Sequence, residues 1–324
     1  MRPRVDLALR PTPVARMRWS PGTGVGPELW IKRDDLTGSV LSGNKVRKLE
    51  YLLAGAVAQG ADVIFTCGGV QSNHCRATAI AARQLGLSCV VFLRVDDPAH
   101  PPAPEGNLLL DRIVGAEVRY ISRADYMRRR EVMTEAARGR NAYIIPEGGS
   151  NALGSLGYYD CVGELAAQLG EVPLTIVYAA GSGGTGAGLV AGVLHRRLPW
   201  RVVGVNVCDD RAYFQAAIGS IVEDMQTQLD LRFDFSRASL ELLDGFVGRG
   251  YGKSRPDELT SLLALARTDG VILDPVYTGK AWYGLTQTLA RDPRALGSRI
   301  VFLHTGGVFG LFNSDTALGL GALL

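Results

Sequence analysis

Short apolar runs, bounded by Gly, Pro or polar clusters, recur along the chain and read as buried strands: Val63–Thr66, Ser88–Leu93, Glu117–Ile121, Ala142–Ile145, Leu174–Ala179, Arg201–Val207, Gly270–Leu273 and Arg299–His304. Between them lie stretches with a helical period: Lys45–Ala58, Asn73–Leu85, Asn151–Leu169, Gly184–His195, Asp257–Thr268 and Gly279–Ala290. In the first of these, Val46, Leu49, Leu53, Ala56 and Val57 form one apolar stripe. Strands alternating with helices predict α/β layers around mostly parallel sheets. Four strand–helix units fall within residues 47–157, enough for a small domain; the rest of the chain supplies a second sheet. Pro98–Pro104 reads as a loop, and no tandem repeat is visible.

Composition narrows the function classes. A chain of 324 residues fits two domains, and 47% hydrophobic with 21% charged residues excludes disorder as its main theme. The net charge is +3, and the basic cluster Arg128–Arg130 is followed at once by Glu131, as on a solvated helix face. A nucleic-acid partner is therefore not expected. No apolar run reaches the roughly 18 residues of a membrane span, and Arg2, Arg4 and Arg10 precede no apolar leader segment. The expectation is no membrane association and a cytoplasmic location. The five cysteines form no C-x-x-C pair, so buried thiols are expected, with no metal site and no disulfide framework. Of 35 basic residues only Lys32, Lys45, Lys48, Lys253 and Lys280 are lysine. Lysine, unlike arginine, can shed its proton and act as nucleophile or base, which makes these five candidates.

Three glycine-containing junctions could carry chemistry. Gly181-Ser182-Gly183-Gly184-Thr185-Gly186 follows a predicted strand and opens a helix, presenting backbone N–H groups suited to a phosphate. It lacks the Lys-Ser/Thr of a nucleoside-triphosphate loop. Gly181, Gly183 and Gly186 also fit G-x-G-x-x-G, and Asp209 could serve as a ribose-binding acid, so a dinucleotide site stays open, as does a plain turn. Ser42-Gly43-Asn44-Lys45 starts a helix that Ser42 or Asn44 could cap. A lysine in that first turn meets the positive end of the helix dipole, which favours the neutral amine that Schiff-base chemistry needs. Lys48 shares its face. Gly68-Gly69-Val70-Gln71-Ser72-Asn73-His74 offers a hydroxyl, amides and main-chain donors at one point: a carboxylate cradle or an N-capped turn.

Together these motifs resemble the D-cysteine desulfhydrase and 1-aminocyclopropane-1-carboxylate (ACC) deaminase family. The resemblance is carried by Lys32–Asp35, Ser42–Leu52, Gly68–His74, Gly181–Thr185, Gly250-Tyr251-Gly252, Asp274–Lys280 and His304–Gly307, in order from about Pro11 to Phe312. It implies pyridoxal phosphate as cofactor and the tryptophan-synthase-β-like fold (fold type II), with two three-layer αβα domains. Residues 1–46 and 158–324 would form the larger, cofactor-binding domain and 47–157 an inserted one. It also implies a homodimer.

The resemblance assigns roles residue by residue. Lys45 would carry the cofactor as a Schiff base. Gly181, Ser182, Gly183, Gly184 and Thr185 would hold its phosphate, with Lys48 assisting, and Asn73 its ring oxygen. Ser72 would handle a proton and contact the substrate, held also by Gln71, Asn73 and His74. Tyr277 and Tyr251 would be active-site tyrosines, and Thr278 and Thr305 would face the cofactor. His304 would support the site from a strand end. The reaction implied is β-elimination from D-cysteine, with ACC ring opening, cysteate desulfonation or a biosynthetic C–S cleavage as alternatives. ACC deaminases resemble Tyr-Glu-Gly-Lys and His-Leu-Gly-Gly at two of these motifs. Here Thr278 follows Tyr277 and Thr305 follows His304, as in the desulfhydrase branch. A nicotinamide oxidoreductase or a non-catalytic homologue would be a different class.

Overall fold

In the computed structural model, which describes residues 2–20, 26–250 and 252–324, the alternation resolves into two sheets. The first part of the chain runs β1 (Val14–Arg16), β2 (Glu28–Arg33), α1 (Asn44–Ala58), β3 (Val63–Gly69), α2 (Asn73–Gln84), β4 (Ser88–Arg94) and α3 (Gly106–Ile113). It continues through β5 (Glu117–Ile121), α4 (Arg123–Met127), α5 (Arg129–Ala136), β6 (Ala142–Ile144), α6 (Ala152–Leu169) and β7 (Leu174–Ala180). Then follow α7 (Gly184–His195), β8 (Trp200–Asn206), α8 (Arg211–Leu229), β9 (Glu241–Leu243), α9 (Pro256–Asp269), α10 (Thr278–Arg291), β10 (Arg299–His304) and α11 (Ser314–Gly321).

The larger sheet has the order β1-β2-β10-β7-β8-β9 and is parallel apart from β1. The smaller, β5-β4-β3-β6, is parallel throughout. Period-2 alternation sends side chains to both faces, and both are covered, as parallel sheets require. In β7, Ile176 and Tyr178 pack with α6, α7 and α8, while Val177 packs with Trp282 and Leu285 of α10. In β3, Ile64 packs with Leu49 of α1 and Ile80 of α2, while Phe65 packs with Tyr126 of α4 and Met133 of α5. Helix α1 lies at the seam: its Leu49 and Leu53 belong to the smaller sheet's core and its Tyr51 to the larger's.

The segment 270–273 does not form the predicted strand. Gly270 ends α9 at φ 67, and the following residues join no sheet. Val271 and Leu273 are buried while Ile272 is 53% exposed, so the alternation that suggested a strand is real. It reflects a chain laid across packed helices; Ile272 O is satisfied by His304 Nε2, at 3.1 Å, instead of a neighbouring strand. Beyond the expected elements are β1, β2, β9, α3, α4, α5, α8 and α11. All five cysteines are free thiols; Cys208 is partly exposed and the other four buried. No described helix is long and apolar enough to cross a membrane.

Candidate active site between the facing strand ends

In open α/β sheets ligands gather beyond the carboxyl ends of the strands. Here those ends of both sheets face one cavity of about 400 Å3. Its wall includes Gly68 and Gly69 ending β3, Arg94 ending β4, Gly181–Gly183 after β7, Asp209 after β8 and Thr305 after β10.

Lys45 enters from the first turn of α1. Gly43 precedes this helix at φ 92, and a Cβ there would stand 2.9 Å from Thr305 O, so the left-handed turn and the close approach both call for glycine. Asn44 N donates to that same Thr305 O at 3.0 Å. Neither Ser42 nor Asn44 caps the helix through its side chain. Asn44 instead spans the cavity floor: its Oδ1 accepts from Lys45 Nζ at 3.0 Å and its Nδ2 donates to Thr185 Oγ1 at 3.2 Å. Burial lowers the Lys45 pKa to about 8, with Arg76 adding to the effect and the Asp274 carboxylate opposing it.

Lys48 is buried one turn on. Its Nζ donates to Gly148 O at 3.1 Å and Ser150 Oγ at 3.3 Å, and burial with the nearby Lys45 charge pushes its pKa well down. The glycine loop lies beside it. Gly183 takes φ 86, α7 starts at Gly184, and Gly184 N donates to Ser150 Oγ at 3.2 Å. A Cβ on Gly184 would be 3.0 Å from Lys48 Nζ. The loop's N–H groups, the N-terminus of α7 and a lysine with neutral partners thus converge, which suits a phosphate. Gly186, the third glycine of the dinucleotide-like pattern, serves packing: a Cβ there would overlap the Tyr178 hydroxyl.

The Gln71–His74 motif divides. Ser72 caps α2, its Oγ accepting from Cys75 N at 3.2 Å, and it lines the cavity with Asn73 and His74. His74 is buried, its Nε2 2.7 Å from Thr66 Oγ1. Burial and the lysine charges hold its pKa well below the usual range, so it is neutral. Gln71 is not on the wall. Its amide bridges Glu105 O at 2.9 Å and Asn107 N at 2.8 Å, tying the loop to α3.

On the opposite side Tyr277 lines the cavity, its ring 3.0 Å from where a Gly181 Cβ would stand. Thr278 lies behind the wall, against the expectation that it faces a ligand. Its hydroxyl donates to Asp274 Oδ1 at 2.6 Å and accepts from Asp274 N at 2.9 Å, closing the first turn of α10. Thr305 does line the cavity. His304 supports it: besides the Ile272 bond, its Nδ1 accepts from Gly306 N at 3.3 Å. Tyr251 lies outside the described residues. Two further candidate lysines are committed elsewhere, Lys32 to Glu164 at 2.5 Å and Lys280 to Val247 O at 2.6 Å.

Several wall residues escaped the sequence reading: Arg94, Tyr126, Arg129, Glu147, Cys208 and Tyr213. Tyr126 donates to Glu147 Oε1 at 2.5 Å, Arg129 pairs with Glu147 Oε2 at 3.1 Å, and the Arg94 guanidinium lies 4.8 Å from the centre of the Tyr126 ring. Arg94, Glu147 and Cys208 follow within a few residues of predicted strands, a signal that could have found them. A wider open groove, about 1180 Å3, lies at the far ends of α7 and α8 around His195 and Phe233, apart from all these groups.

Comparison with known proteins bears on this geometry. Residues 5–306 match the family model described as pyridoxal-phosphate dependent enzyme. The bifunctional D-cysteine desulfhydrase/1-aminocyclopropane-1-carboxylate deaminase, mitochondrial, of Arabidopsis thaliana is 42% identical over 324 residues, covering 95% of this chain and 79% of that protein. The D-cysteine desulfhydrase of Salmonella choleraesuis is 36% identical over 96% of this chain and 95% of its own. A crystal structure of an ACC deaminase homologue superposes with a TM-score of 0.88 at 39% identity, covering 100% of this chain and 97% of that one.

Proposed function

The chain belongs to the pyridoxal-phosphate dependent enzymes, and from that premise we propose that it is a lyase cleaving the carbon–sulfur bond of D-cysteine. Water is consumed and pyruvate, hydrogen sulfide and ammonia are released. The observation that carries the reading is the pair Lys45 and Lys48, one turn apart beside the glycine loop, whose hydrogen-bond partners are all neutral. A nicotinamide site in the same loop would leave that pair without a use.

The residues present fit the cofactor. Gly181–Thr185 and Lys48 would hold its phosphate and Lys45 its aldehyde carbon. When bound, its ring supplies a sink for the electron pair left at the substrate α-carbon. Lys45, with its lowered pKa, would take the α-proton at Nζ. Ser72 and Asn73, with the N–H groups at the start of α2, would hold the substrate carboxylate, and Tyr277 would face it across the cavity.

D-cysteine ranks ahead of ACC on the resemblance: Thr278 and Thr305 stand where the ACC deaminase motifs carry Glu and Leu. A carboxylate facing the cofactor ring would strengthen the electron sink, which ACC needs because it has no α-proton to remove; Thr305 supplies none to this wall, and Thr278 is turned behind it. ACC ring opening is the second reading, favoured by the names of the relatives. The deciding assay compares pyruvate from D-cysteine with α-ketobutyrate from ACC at matched enzyme and substrate. Faster ACC turnover overturns the order, and inactivity on both moves the reading to another β-substituted amino acid. The same reading carries an inserted domain at 47–157, supported by the unbroken run of β3–β6, and a cytoplasmic homodimer, which sedimentation and fractionation would check.

A further inference from the structure

The orientation of the Asn73 amide is decided by groups outside the cavity. Asn73 Oδ1 accepts from Asn107 Nδ2 at 3.1 Å. Asn107 is fully buried at the start of α3. Its Oδ1 accepts from Arg76 Nε at 2.8 Å, and its Nδ2 also donates to Gln71 O at 3.0 Å. The two ends of an asparagine amide are hard to tell apart by shape, but their partners here are not interchangeable. A guanidinium only donates and a carbonyl only accepts. Arg76 therefore fixes the oxygen end of Asn107, and Gln71 O independently fixes its nitrogen end. Asn73 must then turn its oxygen toward Asn107, which leaves its Nδ2 for the cavity that Asn73 lines. Arg76 is itself held, donating to Val40 O and, at 3.1 Å, to Ser42 O in the loop leading to Lys45, and lying 4.8 Å from the centre of the Phe309 ring.

We propose that Asn107 is a positioning residue that presents Asn73 to the active site as a hydrogen-bond donor, so that this point of the cavity selects an anionic oxygen. On the function proposed above, that oxygen belongs either to the cofactor ring or to the substrate carboxylate. Asn107 also holds Arg76 and Gln71 O, but its effect on the reaction runs through Asn73, and this separates it from a residue that merely supports the fold.

The test is a double-mutant cycle of Asn107→Asp, Asn73→Ala and the pair, made on the cofactor-loaded protein. The Asn107→Asp change keeps the side-chain shape and the Arg76 contact but removes the donor to Asn73. Each single variant should lose on the order of tenfold to a hundredfold in kcat/KM, the scale of one hydrogen bond to a charged group. The pair should fall no further than Asn73→Ala. If the oxygen is the cofactor's, both single variants raise the pH midpoint of the visible absorbance without substrate, because an anion that loses a donor holds its proton to higher pH. If it is the substrate's, that midpoint stays and KM for D-cysteine rises. Losses that multiply in the pair, or an Asn107→Asp protein matching wild type while Asn73→Ala does not, overturn the proposal. Should Asn107→Asp fail to fold, Asn107→Ala enters the same cycle under the same criteria. A wild-type protein that takes up no pyridoxal phosphate overturns the functional premise instead, a result read before any variant is made.

Discussion

Arg47 and Lys48 are neighbours on α1, both basic and both fully buried, yet their surroundings are opposite. Arg47 is surrounded by carboxylates. Its Nε and Nη2 donate to Asp34 at 2.8 Å each, and its Nη1 and Nη2 to Glu164 at 2.9 and 3.0 Å. Lys32 completes the cluster on Glu164, and Tyr158 donates to Asp34 Oδ2 at 2.6 Å. Two cations thus meet two carboxylates with their lone pairs occupied, the condition under which buried charge is tolerated. Lys48, on the face toward the glycine loop, has a carbonyl and a hydroxyl. The contrast separates two uses of buried charge. One face of the helix is neutralised from within and fixes where α1 sits; the other, on the function proposed above, would receive the cofactor's phosphate.

The largest expected effect falls on the uncompensated face. Lys45→Ala should lower turnover by on the order of 10⁴-fold or more. Borohydride reduction of the wild type with peptide mapping should place the pyridoxyl tag on Lys45, and a tag on Lys48 would collapse the distinction drawn between the two lysines. On the compensated face, Arg47→Met should cost about 3–5 kcal/mol in denaturant unfolding, because Asp34 and Glu164 are left buried without their partner. An unfolding curve unchanged from wild type would show that the network is ornamental.

Acid tests the same network. Burial raises the Glu164 pKa, but Arg47 and Lys32 outweigh it and bring it down to about 2; Asp34 is likewise lowered against its burial. A carboxylate with a depressed folded pKa lends stability that is fully present above its unfolded value and lost as pH falls through the folded one. The cofactor-free protein should therefore lose on the order of a few kcal/mol between about pH 4.5 and 2, and Glu164→Gln should flatten that loss. Thermal unfolding across this range is the measurement.

Lys48→Met should behave in the opposite sense to Arg47→Met. Removing a buried amine that has no carboxylate partner leaves the cofactor-free fold at least as stable, while pyridoxal phosphate affinity drops roughly tenfold to a hundredfold. Retained affinity would remove Lys48 from the phosphate site. The smallest effect is a shift of a midpoint. Amine labelling of cofactor-free protein at Lys45 should rise with a midpoint near pH 8, the value to which burial lowers it.

Much of this was legible in the sequence, and the gaps have physical causes. Parallel strands buried on both faces announce themselves as apolar runs, so β3 to β8 and β10 were readable, while the three-residue edge strands β1 and β9 bury too little to leave a pattern. In α8, the buried Phe214, Ile218, Ile221, Val222 and Met225 follow the helical period, so that helix was available to a fuller reading. At the site, motifs marked the right loops but not which side chains turn inward. Thr278 follows Tyr277 directly, yet a helical step of about 100° sends it to Asp274. Gln71 sits beside Ser72, yet it turns to α3. Asn107 and Asp274 act through hydrogen bonds to partners distant in sequence or behind the wall, and no spacing rule announces them.

The order of strands in the larger sheet also governs when this enzyme can exist during its synthesis. β2 lies between β1 and β10 in the sheet, and β10 is made long after it. The smaller sheet draws all its strands from residues 63–144 and can close while translation continues. β2 must wait, and so must the turn of α1 whose Asn44 N docks on Thr305 O. Nascent chains halted before residue 299 should therefore protect β3–β6 from protease while leaving β2 and the Lys45 turn open to cleavage. On the function proposed above, the lysine that would carry the cofactor is thus placed beside the loop that would hold its phosphate only after β10 has been made.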